Sequence, residues 1–123
     1  MGKTIGIILA GGTGERMGGE LPKQFLELNG KPMIVYSVET FDKSSATDEI
    51  IIVCHKKHID RMTKLVEAIK PNKPCKIVPG GKTRQESSYN GVKSCPEDTE
   101  YVLIHDSARP FAVSYTHLTL PTN

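Results

Sequence analysis

Gly11-Gly12-Thr13-Gly14, followed by Arg16 and Lys23, are the residues of this chain best suited to chemistry on a phosphate chain. Glycines leave backbone N–H groups unshielded. The amides of such a turn can therefore face phosphate oxygens, while a guanidinium and an ammonium bring two positive charges to the same loop. A triphosphate fits that chemistry. Two further segments concentrate polar groups: Gly80-Gly81-Lys82-Thr83-Arg84-Gln85-Glu86-Ser87 and His105-Asp106-Ser107-Ala108-Arg109-Pro110. Two better-known phosphate loops fail on spacing. No Gly-x4-Gly-Lys-Ser/Thr occurs, and the third glycine of a Gly-x-Gly-x-x-Gly fingerprint falls one residue late, at Gly18. Where a dinucleotide-binding fold would place an acidic residue for a ribose hydroxyl, this chain has Cys54-His55, which argues against a dehydrogenase.

The elements that must position these segments follow from apolar periodicity. Thr4-Ile5-Gly6-Ile7-Ile8-Leu9-Ala10 and Glu49-Ile50-Ile51-Ile52-Val53-Cys54 are short, almost continuous apolar runs, the pattern of strands buried on both faces of a parallel sheet. Lys76-Ile77-Val78 predicts a brief strand, and Tyr101-Val102-Leu103-Ile104-His105-Asp106 a fourth. Between them, Met33, Val35, Tyr36, Val38 and Phe41 form a helical stripe with Pro32 in its first turn. Ile59, Met62, Leu65, Val66 and Ile69 form another that ends before Pro71, and residues 83–94 are polar but helix-compatible. The order β-α-β-α-β-α-β predicts an α/β class, a doubly wound and mostly parallel sheet of Rossmann-like type with right-handed crossovers. In such a sheet ligands settle beyond the carboxyl ends of the strands, and segments 11–23, 80–87 and 105–110 all lie there. His105 alternates with Asp106 along its strand, so it is expected to pack inward, while His55, His58 and His117 are expected at the surface.

Composition narrows the partners. The chain has 123 residues, the range of one domain, with 16 basic against 14 acidic residues and a net charge of +2. That balance does not suggest a nucleic acid or an anionic membrane as partner. No apolar run approaches the roughly 18 residues of a membrane span, and a cytoplasmic protein is expected. Cys54, Cys75 and Cys95 are odd in number and lack zinc-ligand spacing, so they are read as reduced thiols. Met1-Gly2 lacks the hydroxyl residue that a myristoylation signal needs at position 6, where Gly6 stands. Residues 113–123 are rich in Ser and Thr and break the pattern. They read as a non-native tail outside the fold, leaving residues 1–112 as the N-terminal part of a single domain with an unprotected sheet edge.

Leu9-Ala10-Gly11-Gly12-Thr13-Gly14-Glu15-Arg16-Met17, followed by Leu21-Pro22-Lys23-Gln24-Phe25-Leu26, resembles the signature of the sugar-phosphate nucleotidyltransferase superfamily. With the blocks at 80–87 and 105–110 in the same order, the chain is similar to the methylerythritol phosphate and ribitol phosphate cytidylyltransferases, over about residues 5–111 and only the first half of the family's length. This resemblance implies a truncated nucleotidyltransferase fold in which Ala10, Gly11, Gly12, Thr13 and Gly14 hold CTP by backbone contacts. Arg16 and Lys23 would neutralise the triphosphate and the charge that builds at the α-phosphorus. Gly81, Lys82 and Ser87 would line the cytosine pocket, although Lys82 stands where the family pattern leads one to expect an acidic residue. Asp106 would ligate Mg2+, and Arg109 would meet the phosphate of a small polyol phosphate acceptor. The implied reaction is transfer of CMP from CTP with release of pyrophosphate, by a homodimeric parent enzyme. Ser107-Ala108-Arg109-Pro110 favours methylerythritol phosphate as acceptor, and the Leu9–Gly12 and Leu21–Lys23 strings lean toward ribitol phosphate. A guanylyl- or uridylyltransferase would share the first motif without the block at 106–110. A fragment that binds nucleotide without turnover is the alternative outside the enzymes.

Overall fold

A computed structural model describes residues 2–10, 27–28, 30–106 and 113–117. Strand β1 (Lys3–Ala10) runs through the centre of a five-stranded sheet, and Ile5 to Ala10 are buried without interruption, as a strand covered on both faces must be. A short hairpin of β2 (Glu27–Leu28) and β3 (Lys31–Pro32) precedes helix α1 (Met33–Lys43). Pro32 stands one position earlier than the sequence pattern suggests. It caps the helix from extended backbone and pairs with Glu27 in the hairpin, so its ring shapes the entry to α1 and not its first turn.

Next come β4 (Glu49–Cys54), one 3-10 turn at Lys56–His58, α2 (Ile59–Ile69), β5 (Cys75–Pro79), α3 (Arg84–Lys93) and β6 (Thr99–Asp106). Lys70 ends α2 in the left-handed conformation (φ 47) one residue before Pro71, where a helix cannot continue. Among the described residues, three helices alternate with four parallel strands as their periodicities require.

Strand order across the sheet is β5-β4-β1-β6-β7, with β1 parallel to both β4 and β6. Alternate residues of each strand feed two separate cores. Ile8, Ala10, Ile50, Ile52 and Cys54 pack under α1 and α2, whereas Ile5, Ile7, Leu9, Ile51 and Val53 pack with Val92 of α3 and the neighbouring Cys95. The chain therefore winds away from β1 under one layer and returns past it under the other, which defines a doubly wound sheet. Gly6 is where α1 comes closest: a Cβ there would sit 2.7 Å from the Phe41 ring, so the helix seats on the strand only because that side chain is absent.

A further strand lies within the stretch that the sequence reading sets apart as a tail. Residues expected to lie outside the fold include β7 (Val113–His117), antiparallel to β6 with His105 opposite Val113 and Tyr101 opposite His117. Val-Ser-Tyr-Thr-His is rich in β-branched and aromatic residues, and a backbone ladder accepts such a run even where its composition reads as a tail. Consequently β6 is paired on both sides, by β1 and β7.

Candidate functional site

Parallel register aligns the strand ends into one lip. Ala10 lies beside Cys54, Leu9 beside Asp106, and Cys54 beside Pro79. With neighbouring strands about 4.8 Å apart, the row from Asp106 through Ala10 and Cys54 to Pro79 extends roughly 14 Å. The switch in winding direction falls between β1 and β6, and Ala10 and Asp106 sit at that crevice. Ala10 is buried and Asp106 half-buried at the mouth. The structure thus brings together the start of the glycine loop and the acidic residue, 96 positions later in the chain, that sequence reasoning assigned to a metal. Gly11, Gly12, Thr13, Gly14, Arg16, Lys23 and Arg109 lie outside the described residues.

At the other end of the lip the turn from β5 into α3 is tied down by side chains. The Gly80 N–H donates to the Cys54 carbonyl at 2.8 Å, keeping the loop on the sheet edge. The Gly81 N–H donates to Ser87 Oγ at 3.1 Å, and Ser87 is 4 % exposed, so this hydroxyl is a buried strut. Thr83 and Glu86 form a reciprocal capping box, which satisfies amides that a helix start leaves without intrahelical partners. Lys82 is exposed, and its N–H donates to Glu86 Oε1 at 2.8 Å. Of the three residues expected around the base, Gly81 and Ser87 are linked directly, whereas Lys82 contributes its backbone to the turn. Sequence reasoning missed Glu86, although its spacing after Thr83 is the capping-box signature that could have found it.

The histidines divide. His105 is 1 % exposed and meets Phe41 edge-on, with ring centroids 6.0 Å apart, the inward packing expected from its alternation with Asp106. His55 and His58, expected at the surface, are half-buried beside the end of β4. His55 Nδ1 accepts from the Lys57 N–H at 3.1 Å, which orients the 3-10 turn leading into α2. Burial, then the charges of His55, Arg61 and Lys57, lower the pKa of His58, so its imidazole favours the neutral form.

Among the described residues no group of three or more His, Cys, Asp or Glu side chains converges in a way that could hold a metal ion. A half-buried carboxylate suits a hard cation of the Mg2+ type, which keeps water and takes phosphate oxygens beside one or two carboxylates. Asp106 fits that donor set, and among the described residues no thiol-rich or histidine-rich cage arises. Among the described residues no helix is long and apolar enough to cross a membrane.

A mostly parallel sheet covered by helices on both faces, with a carboxylate at its switch point, defines the class: a doubly wound α/β domain. The family model of IspD, 2-C-methyl-D-erythritol 4-phosphate cytidylyltransferase, matches residues 4–119, and the chain belongs to that family. A Clostridium perfringens protein bearing that enzyme's name is 49 % identical over 111 residues, covering 90 % of this chain and 49 % of its own length. A Clostridium botulinum (strain Loch Maree) protein of the same name is 44 % identical over 114 residues, covering 93 % of this chain and 50 % of its own. Among solved structures, the 4-diphosphocytidyl-2C-methyl-D-erythritol synthase of Anaerococcus prevotii superposes with a TM-score of 0.76 at 30 % identity, covering 90 % of this chain and 46 % of that one. The inositol-1-phosphate CTP transferase of T. maritima, at 17 % identity and a TM-score of 0.68 over 87 % of this chain and 44 % of its own, shares the fold. The chain spans about half the length of the curated relatives it matches.

Proposed function

We propose that this chain forms the CTP-binding part of a cytoplasmic, homodimeric cytidylyltransferase that makes a CDP-polyol from 2-C-methyl-D-erythritol 4-phosphate, a step in isoprenoid precursor biosynthesis. The observation that carries this reading is the family match over residues 4–119, laid on a sheet whose switch point holds Ala10 beside the Asp106 strand. A phosphate oxygen of the acceptor attacks the α-phosphorus, the new P–O bond forms, and the bond from that phosphorus to the bridging oxygen breaks to release pyrophosphate. Backbone amides of Gly11, Gly12, Thr13 and Gly14 cradle the triphosphate. Arg16 and Lys23 balance the charge that grows on the phosphoryl oxygens, the kind of electrostatic stabilisation on which phosphoryl transfer chiefly depends. The turn formed by Gly81 and Lys82 and anchored by Ser87 lines the base pocket, Asp106 would hold the metal, and Arg109 holds the acceptor's phosphate in a planar fork. When bound, Mg2+ would supply Lewis-acid neutralisation of the phosphate oxygens.

Calorimetry with Mg2+ and CTP tests the reading. Saturable binding is expected, and replacing Arg16 and Lys23 together with Ala should weaken it by roughly a hundredfold to ten-thousandfold, since each removes a charge-assisted bond worth roughly 1.5–3 kcal/mol. Absence of heat with the wild type, or unchanged affinity in the double variant, would refute it. In a chain of the relatives' full length, CMP transfer to methylerythritol phosphate but not to ribitol phosphate is the expected acceptor preference.

A further inference from the structure

Three consecutive amides at the β5–α3 turn point the same way. The N–H of Gly81 donates to Ser87 Oγ at 3.1 Å, and those of Lys82 and Thr83 both donate to Glu86 Oε1, at 2.8 and 3.2 Å. Thr83 Oγ1 in return accepts from the Glu86 N–H at 3.1 Å. A Cβ on Gly81 would collide with the Cβ of Glu86, so the loop lies directly against this side chain. In a planar trans peptide the carbonyl of one residue points opposite to the N–H of the next, and no cis bond occurs among the described residues. Turning the 81, 82 and 83 amides toward α3 therefore turns the carbonyls of Gly80, Gly81 and Lys82 away from it.

Outward carbonyls are acceptors, and they distinguish pyrimidines. Cytosine offers an amino group at position 4, whereas the uracil type offers an acceptor oxygen there. Resting on the CTP reading above, we propose that Glu86 is a positioning residue for base selection: its carboxylate fixes the 81–83 backbone so that outward carbonyls accept from the cytosine amino group and repel uracil. Glu86 touches no part of the nucleotide in this scheme. Ser87 anchors the same turn from its buried side, and Lys82 enters through its backbone, so the side chain at position 82 can depart from the family pattern without altering base choice.

Calorimetric affinities for three probes, CTP and UTP with Mg2+ and inorganic tripolyphosphate with Mg2+, separate base selection from phosphate binding. Wild type should prefer CTP. Glu86→Ala should lose about tenfold in CTP affinity, as expected when a fixed hydrogen-bonding geometry is released, with UTP and tripolyphosphate unchanged. Glu86→Gln, which keeps an acceptor oxygen, should retain most of the preference. Gly81→Ala, which pushes the turn off Glu86, should mimic Glu86→Ala and provides the decisive reading if that variant does not fold. The proposal is overturned if folded Glu86→Ala or Gly81→Ala keeps the wild-type CTP-to-UTP ratio, or if all three probes weaken equally. No binding of CTP by the wild type would instead remove the nucleotide reading on which it rests.

Discussion

The two ends of the central sheet use polar residues in opposite ways. At the amino ends, side chains close on one another and on the backbone. Lys3 reaches Glu49 at 2.8 Å and Asp98 at 3.9 Å, and Asp48 accepts the Thr4 N–H at 2.8 Å. The Lys3 ammonium is held above its ordinary pKa by the Glu49 hydrogen bond and the Asp98 and Glu49 charges. Between α1 and the approach to β5, Asp42 accepts from the Asn72 and Lys73 amides at 3.1 and 2.9 Å. Lys73 donates in turn to the carbonyls of Phe41, at 2.7 Å, and Ser44. At the carboxyl ends, Glu86, Thr83 and Ser87 shape a backbone turn, and Asp106 stands at the mouth of the switch-point crevice. Amino-end polar groups tie the fold together, while those of the carboxyl end shape a backbone turn and place a carboxylate at the crevice mouth.

The largest expected effect would break this contrast if it appeared at the wrong end. Asp42→Ala leaves two amides without their acceptor and should cost about 2 kcal/mol in urea unfolding, with the CTP affinity unchanged. A loss of nucleotide binding in that variant, at unchanged stability, would erase the distinction between the ends.

Asp106→Asn sharpens the contrast from the other side. If Asp106 holds the metal as proposed, this change should abolish most of the Mg2+ dependence of CTP binding, about tenfold in affinity, while the urea midpoint stays close to wild type. An unchanged metal dependence would move the ligand role elsewhere.

The smallest effect compares two thiols at opposite ends. Burial raises Cys54, at the carboxyl end of β4, from the usual 9.0 to about 11. Burial with the nearby Asp42 carboxylate does the same for Cys75, at the amino end of β5. Because the unfolded chain releases these protons first, the stabilisation is complete below pH 9 and falls as pH rises from 9 to about 11. Urea unfolding at pH 8 and pH 10 should show a steeper decline for wild type than for Cys54→Ala or Cys75→Ala. Equal slopes would mean that neither thiol is sequestered at its end of the sheet.

Much of this fold was legible in the residues. The unbroken apolar run of 4–10 and its counterpart at 49–54 announced strands covered on both faces, and the 3.6-residue stripes of α1 and α2 placed the helices between them. The glycine string and the blocks at 80–87 and 105–110 already pointed to the family. Other features were not legible, for separate reasons. The pairing of Val113–His117 with β6 was not legible because a ladder partner is chosen by tertiary placement and not by the segment's own composition. His55 and His58 failed because half-burial beside a 3-10 turn depends on how the chain leaves β4.

By itself the sequence determined which segments are strands or helices and which family the chain belongs to, because periodicity and short motifs are local properties of the chain. Only the tertiary structure decided that Leu9 pairs with Asp106, that the winding reverses between β1 and β6, and that one carboxylate at Glu86 turns successive amides inward. Those are relations between residues fixed by strand register and helix docking. Register is set by the simultaneous fit of both sheet faces to their helices, and no single segment contains that information.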